Sequence, residues 1–155
     1  PMINSVGSPK LVVNGTALDY LAESFMAGDP LEGGGYVIIN GIEYDDKGEI
    51  RAMETPYPGG NLFSLSSGGA IYIRDPHGRV STSQLNGGDF TVLTPADWDI
   101  LEPLLVENEA HFGISLAALL TVEGEVRAPE AVYRKIIPVK TKALSVEADW
   151  GGSHD

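Results

Sequence analysis

Two runs of β-branched and aromatic residues, Tyr36-Val37-Ile38-Ile39-Asn40-Gly41 and Ala70-Ile71-Tyr72-Ile73-Arg74-Asp75, begin directly after the double glycines Gly34-Gly35 and Gly68-Gly69. A third run, Leu11-Val12-Val13-Asn14-Gly15, is of similar length and also ends in turn residues. Short apolar runs bounded by turn residues read as strands. The intervening segments echo each other. Residues 18–28 and 60–69 both give polar turn, apolar pair, small residues and glycine ahead of a strand. A strand of about five residues cannot bury its face alone, whereas stacked copies of one unit bury a continuous core. The repeat therefore predicts a mainly β solenoid of two to three coils with parallel pairing between coils. Tight corners need small residues and positive φ, which gives corner roles to Gly34, Gly35, Gly60, Gly68 and Gly69. A Greek-key sandwich is the competing architecture, because short strands with glycine turns suit both. The spacing is unequal, 26 residues from Val12 to Ile38 and 33 from Ile38 to Ile71. The longer interval holds an excursion at 42–58, with a turn at Asp46-Lys47-Gly48.

The 155 residues make one domain, with coils over 1–93, a helical extension over 94–138 and a tail over 139–155. In the extension, Thr94 is an N-cap, Pro95 sits at N1 and Asp97 lies in the first turn. Trp98, Leu101 and Leu105 share a face, and Gly113 is the stop. Pro103 predicts a kink or break near Glu102. Ser115 caps a short turn, and Pro129 opens a helix over 130–136 that Pro138 ends. The tail is small and polar after Trp150 and is expected to fray.

Composition narrows the partners. Glycine (19) and proline (10) are in excess, which favours a turn-rich fold over a bundle. The net charge of −12 argues against nucleic acid and against an anionic membrane surface. The absence of cysteine removes disulfides, thiol nucleophiles and thiolate-held clusters. It also fits a reducing, cytoplasmic setting. No apolar run is long enough to span a membrane. The start, Pro1-Met2-Ile3-Asn4, has no basic segment and reads as an artificial or processed end rather than a signal peptide.

No catalytic constellation stands out. His77, His111 and His154 are not spaced as metal ligands, and Asp45-Asp46 and Glu107/Glu109 read as solvated acidic faces. The run Asp45-Asp46-Lys47-Gly48-Glu49 lacks the spacing of a calcium loop. Ser64, Ser66 and Ser67 lack a nucleophile elbow, and the glycines form no phosphate-binding fingerprint. Catalytic, cofactor and metal residues are therefore not assigned. The one basic cluster is Arg134, Lys135, Lys140 and Lys142. It reads either as favourable charge at a helix C-terminus or as a docking patch for an acidic partner surface.

Residues 11–23 with 34–41, and 60–74, resemble successive coils of the glycine-repeat (GXGXG) domain that forms the C-terminal part of the glutamate synthase large subunit. Residues 93–114 and 129–138 are similar to the family's helical and closing segments, so the resemblance spans about 10–138. It is closest to the split form, in which the enzyme's regions are separate chains. The resemblance implies a right-handed parallel β-helix with a helical C-terminal extension. It further implies a non-catalytic scaffold in glutamine-dependent glutamate formation. FMN and the iron–sulfur cluster would lie in partner chains, the synthase and the amidotransferase. The family has more coils upstream, so an uncovered edge is expected near Leu11–Val13, covered by another chain or a second copy. The same repeat occurs in a subunit of formylmethanofuran dehydrogenase, which gives a second redox complex as the alternative, and a self-assembling solenoid as another.

Overall fold

The computed structural model describes residues 10–16, 29–57, 69–85 and 87–138. The elements follow in chain order as β1 (Lys10–Val13), β2 (Tyr36–Ile39), β3 (Ile42–Tyr44), β4 (Ile50–Ala52), β5 (Ala70–Arg74) and β6 (Gly88–Thr91). Then come α1 (Pro95–Phe112), α2 (Leu116–Leu120), β7 (Thr121–Val122), β8 (Glu125–Val126), α3 (Pro129–Val132) and β9 (Tyr133–Pro138). Among the described residues the strands form one five-stranded sheet, ordered β1-β2-β5-β9-β6, and two hairpins, β3-β4 and β7-β8.

The three strands of the repeat lie side by side, while its echoing segments, 18–28 and 60–68, fall outside the described residues. β1, β2 and β5 pair in parallel, with Val12 beside Ile38 and Ile38 beside Tyr72. The second offset is thus one residue longer than the apolar runs suggest, and a one-residue slip exchanges the two faces of a strand. Period-two alternation sends Tyr36, Ile38, Ala70 and Tyr72 against Leu101 and Leu105 of α1 and Leu119 of α2. Val37, Ile39, Ile71 and Ile73 pack on the opposite face with Tyr57, Val80 and Leu85. Both faces are covered, so every residue of β2 and β5 is buried and their apolar runs do not alternate with polar residues. Each such aliphatic side chain, fully buried, contributes about 1.5–3 kcal/mol.

The architecture is mixed α/β and not the short right-handed parallel β-helix of two to three coils. The excursion expected over 42–58 is present as the antiparallel β3–β4 hairpin, and Gly48 takes the positive φ expected of its turn. The ladder stops being parallel at β5, because β9 pairs with it antiparallel and continues to β6. The expected helix over 130–136 is the source of that strand. α3 closes after one turn at Val132, and the rest of the segment is extended. The 94–138 segment therefore contributes a strand, β9, to the sheet.

α1 does not break at Pro103. It runs unbroken from the Thr94–Asp97 capping box to Gly113. Pro103 lies on the exposed side, while Leu101 and Leu105 are fully buried against the sheet. That packing holds the helix together where one backbone bond is lost.

Gly33 and Gly69 hold the left-handed backbone positions ahead of β2 and β5. Gly34 and Gly35 are instead buried residues without positive φ that lead into β2. Gly60 and Gly68 lie outside the described residues. β1 is the rim strand of the sheet, with Leu11 45% exposed. No helix among the described residues is long and apolar enough to cross a membrane.

Candidate functional site

Two polar networks and one groove account for the chemistry-bearing side chains. The first network begins with the capping box. Thr94 accepts a bond from the Asp97 amide, while Asp97 Oδ2 accepts from the Thr94 amide and hydroxyl, both at 2.8 Å. Asp97 Oδ1 accepts from the Tyr72 hydroxyl and from Lys135 Nζ, each at 2.7 Å. Four donors thus occupy one fully enclosed carboxylate. Burial alone would raise the Asp97 carboxyl, but the bonds from Lys135, Thr94 and Tyr72 outweigh it and hold it below the ordinary aspartate value. Burial and the bond to Asp97 drive the Tyr72 hydroxyl well above the ordinary tyrosine range. The arrangement leaves the carboxylate no lone pair for a substrate and ties α1 to β5 and β9.

The second network is built by the repeat. Asn14 and Asn40 follow paired strands at equivalent positions, and Asn40 Nδ2 donates to Asn14 Oδ1 at 2.8 Å. Asn108 of α1 exchanges two 2.9 Å bonds with Asn14, and the Tyr133 hydroxyl donates to Asn40 Oδ1 at 2.7 Å. Gly41, next in the chain, needs its missing side chain, since φ is +58° and a Cβ would come within 3.1 Å of Pro56.

The groove lies at the C-terminal end of β5. It has a volume of about 440 Å³ and lies between the β3–β4 hairpin (Ile42, Ile50), the end of β5 (Arg74, His77) and the β7–β8 hairpin (Val122, Glu123). Arg74 is 6% exposed. It is held by carbonyls at the junction of α2 and β7: Nε donates to Leu119 O at 2.7 Å and Nη2 to Thr121 O at 3.1 Å. Burial presses its guanidinium below the ordinary arginine value. Glu123 and Gly124 form the hairpin turn with positive φ at both positions, an unusual place for glutamate.

Two members of the basic cluster, Arg134 and Lys135, are engaged within the fold. Arg134 Nη1 bonds Asp75 Oδ2 at 2.9 Å, and its guanidinium lies 3.5 Å over the Phe90 ring. Lys135 is spent on Asp97, and neither residue lies on a helix. Lys140 and Lys142 lie outside the described residues, as do His154 and the three serines. His111 sits at the end of α1, 3.6 Å from Glu107, and His77 lines the groove. Asp45 accepts the Lys47 and Glu49 amides and so shapes the β3–β4 turn. Among the described residues no group of three or more His, Asp or Glu is placed to hold a metal ion. Sequence reasoning passed over Arg74, Asn14 and Asn40. The two asparagines carried a signal, the repeated strand-Asn-Gly ending.

No family model matches this chain, and no curated protein and no solved structure matches it significantly.

Proposed function

We propose that this chain is a structural module of a cytoplasmic glutamate synthase-like complex. It would hold the synthase and amidotransferase chains in register so that ammonia passes between them without loss. The observation that supports the reading is the in-register stacking of the repeat. Strand, asparagine and glycine recur at Val13-Asn14-Gly15 and Ile39-Asn40-Gly41, with the asparagines bonded to each other. Residues 11–15 and 36–41 belong to the segments that carry the sequence resemblance, here in a mixed sheet instead of a solenoid. With no cysteine, this chain offers no thiolate to an iron–sulfur cluster. The cluster and FMN belong to the partner chains in this reading. The rim strand β1 suits a protein contact, because its outer edge has no partner strand among the described residues.

The test is capture of the tagged chain from its native extract, with mass spectrometry of its companions. The expected result is recovery of an FMN- and iron–sulfur-containing synthase chain together with a glutamine amidotransferase. Recovery of the chain alone, as a stable homo-oligomer, overturns the reading. Deleting the chain should uncouple glutamine hydrolysis from glutamate formation, and unchanged coupling overturns it equally.

A further inference from the structure

The groove beside β5 is lined by a buried cation, Arg74, that forms no ion pair with another of the described residues. The ion pairs of the described residues engage Arg51, Arg127, Arg134, Lys135 and His111, and leave Arg74 out. Asp75, next to it in sequence, is taken by Arg134 and by the amides of Arg79 and Val80. Arg74 satisfies Nε and Nη2 on carbonyls, while Nη1 has no bond among the described residues. Every enclosed side-chain nitrogen and oxygen among those residues has a partner. Nη1 is therefore not fully enclosed, and Arg74 lines the groove. A charge held this far from water gains most from an anion placed against it, and a guanidinium matches a carboxylate in shape.

The remaining walls define the class of anion. Ile42, Ala52 and Val122 give the groove an apolar body, and its volume of about 440 Å³ is that of a small-molecule site. Glu123 at the lip, on a chain of net charge −12, opposes a second negative charge. Arg51 lines the same groove from β4 and is exposed. We propose that this groove binds a small aliphatic monocarboxylate, with its carboxylate on Arg74 and its hydrocarbon body against Ile42, Ala52 and Val122.

The test is a titration of the full chain with sodium isovalerate at fixed ionic strength, followed by nitrogen-15 NMR. The expected result is a saturable shift of the Arg74 Nε–H and the Val122 and Glu123 amides, with a Kd of about 1 mM. R74K should weaken binding about tenfold, since a lysine keeps the charge and loses the planar fork. R51E reverses a charge on the exposed wall, with loss of the Arg51–Glu43 ion pair, and provides the second reading where R74K fails to fold; a loss of about threefold is expected. The absence of saturable shifts well above that concentration overturns the site. Unchanged affinity in R51E, or in a folded R74K, overturns the cationic anchor. Equal binding of inorganic phosphate or glutarate overturns the monocarboxylate class. All of this is read on the isolated chain, so it stands or falls separately from the complex.

Discussion

Lys135 is 9% exposed, and its ammonium lies 2.7 Å from Asp97 Oδ1. An ammonium alone in that place would cost several kcal/mol of desolvation. The same carboxylate caps α1 and accepts the Tyr72 hydroxyl, so one side chain serves a helix end, a strand and a buried cation. Asp97→Leu is expected to lower stability by about 3–5 kcal/mol, chiefly because it strands Lys135. The double replacement Asp97→Leu/Lys135→Met should recover much of this, leaving about 2 kcal/mol for the lost cap and the orphaned Tyr72 hydroxyl. Urea unfolding of both variants measures the difference. A double variant no more stable than the single one would show that the stranded charge is not the cause.

The β7–β8 hairpin closes one side of the groove through a two-residue turn, with Glu123 at φ 52° and Gly124 at φ 82°. Left-handed backbone costs a residue with a side chain about 1 kcal/mol or more, and glycine regains part of that by accepting the conformation. Glu123→Gly is therefore expected to stabilise the chain by about 0.5–1 kcal/mol, read as a higher thermal midpoint. A lower midpoint would mean that contacts of the glutamate side chain outweigh its backbone strain. Much at this scale was legible in the sequence: β1, β2, β5, the β3–β4 turn and the starts of α1, α2 and α3 each sit beside a Gly, Asn, Thr, Ser or Pro signal. β9 was not legible, for a physical reason. Lys135 occupies an inward position there, and the carboxylate that makes this tolerable is 38 residues away. Without that partner in view, Tyr133-Arg134-Lys135-Ile136 after Pro129 reads as a helix. Missing β9 is also what made a solenoid plausible, because three parallel strands look alike in a coil and in an open sheet until their neighbour is known. The groove was hidden for a similar reason, since Arg74 is buried only by packing against α2 and the β7–β8 hairpin.

Across the whole molecule, the buried groups set the pH limits of the fold. The folded pKa of Asp97 is depressed, so its contribution is fully present above the unfolded value of about 3.9 and is lost as pH falls through the folded one. Tyr72, Tyr133 and Tyr36 are raised by burial, so theirs is present below the unfolded value of about 10 and is lost on further alkalinisation. Stability should hold between these limits and fall outside them, in urea midpoints measured in salt high enough to screen repulsion within the −12 chain. A midpoint that stays level down to pH values far below the unfolded aspartate value would contradict the assignment to Asp97. The strand order carries a consequence for biosynthesis. β9 is the last strand in chain order among those described, yet it lies between β5 and β6. As the chain leaves the ribosome, those two strands emerge first and wait with open edges until Tyr133–Pro138 arrives to wedge between them. The interior of the sheet is thus completed by the last of the described strands, and β5 and β6 keep an open edge until it is in place.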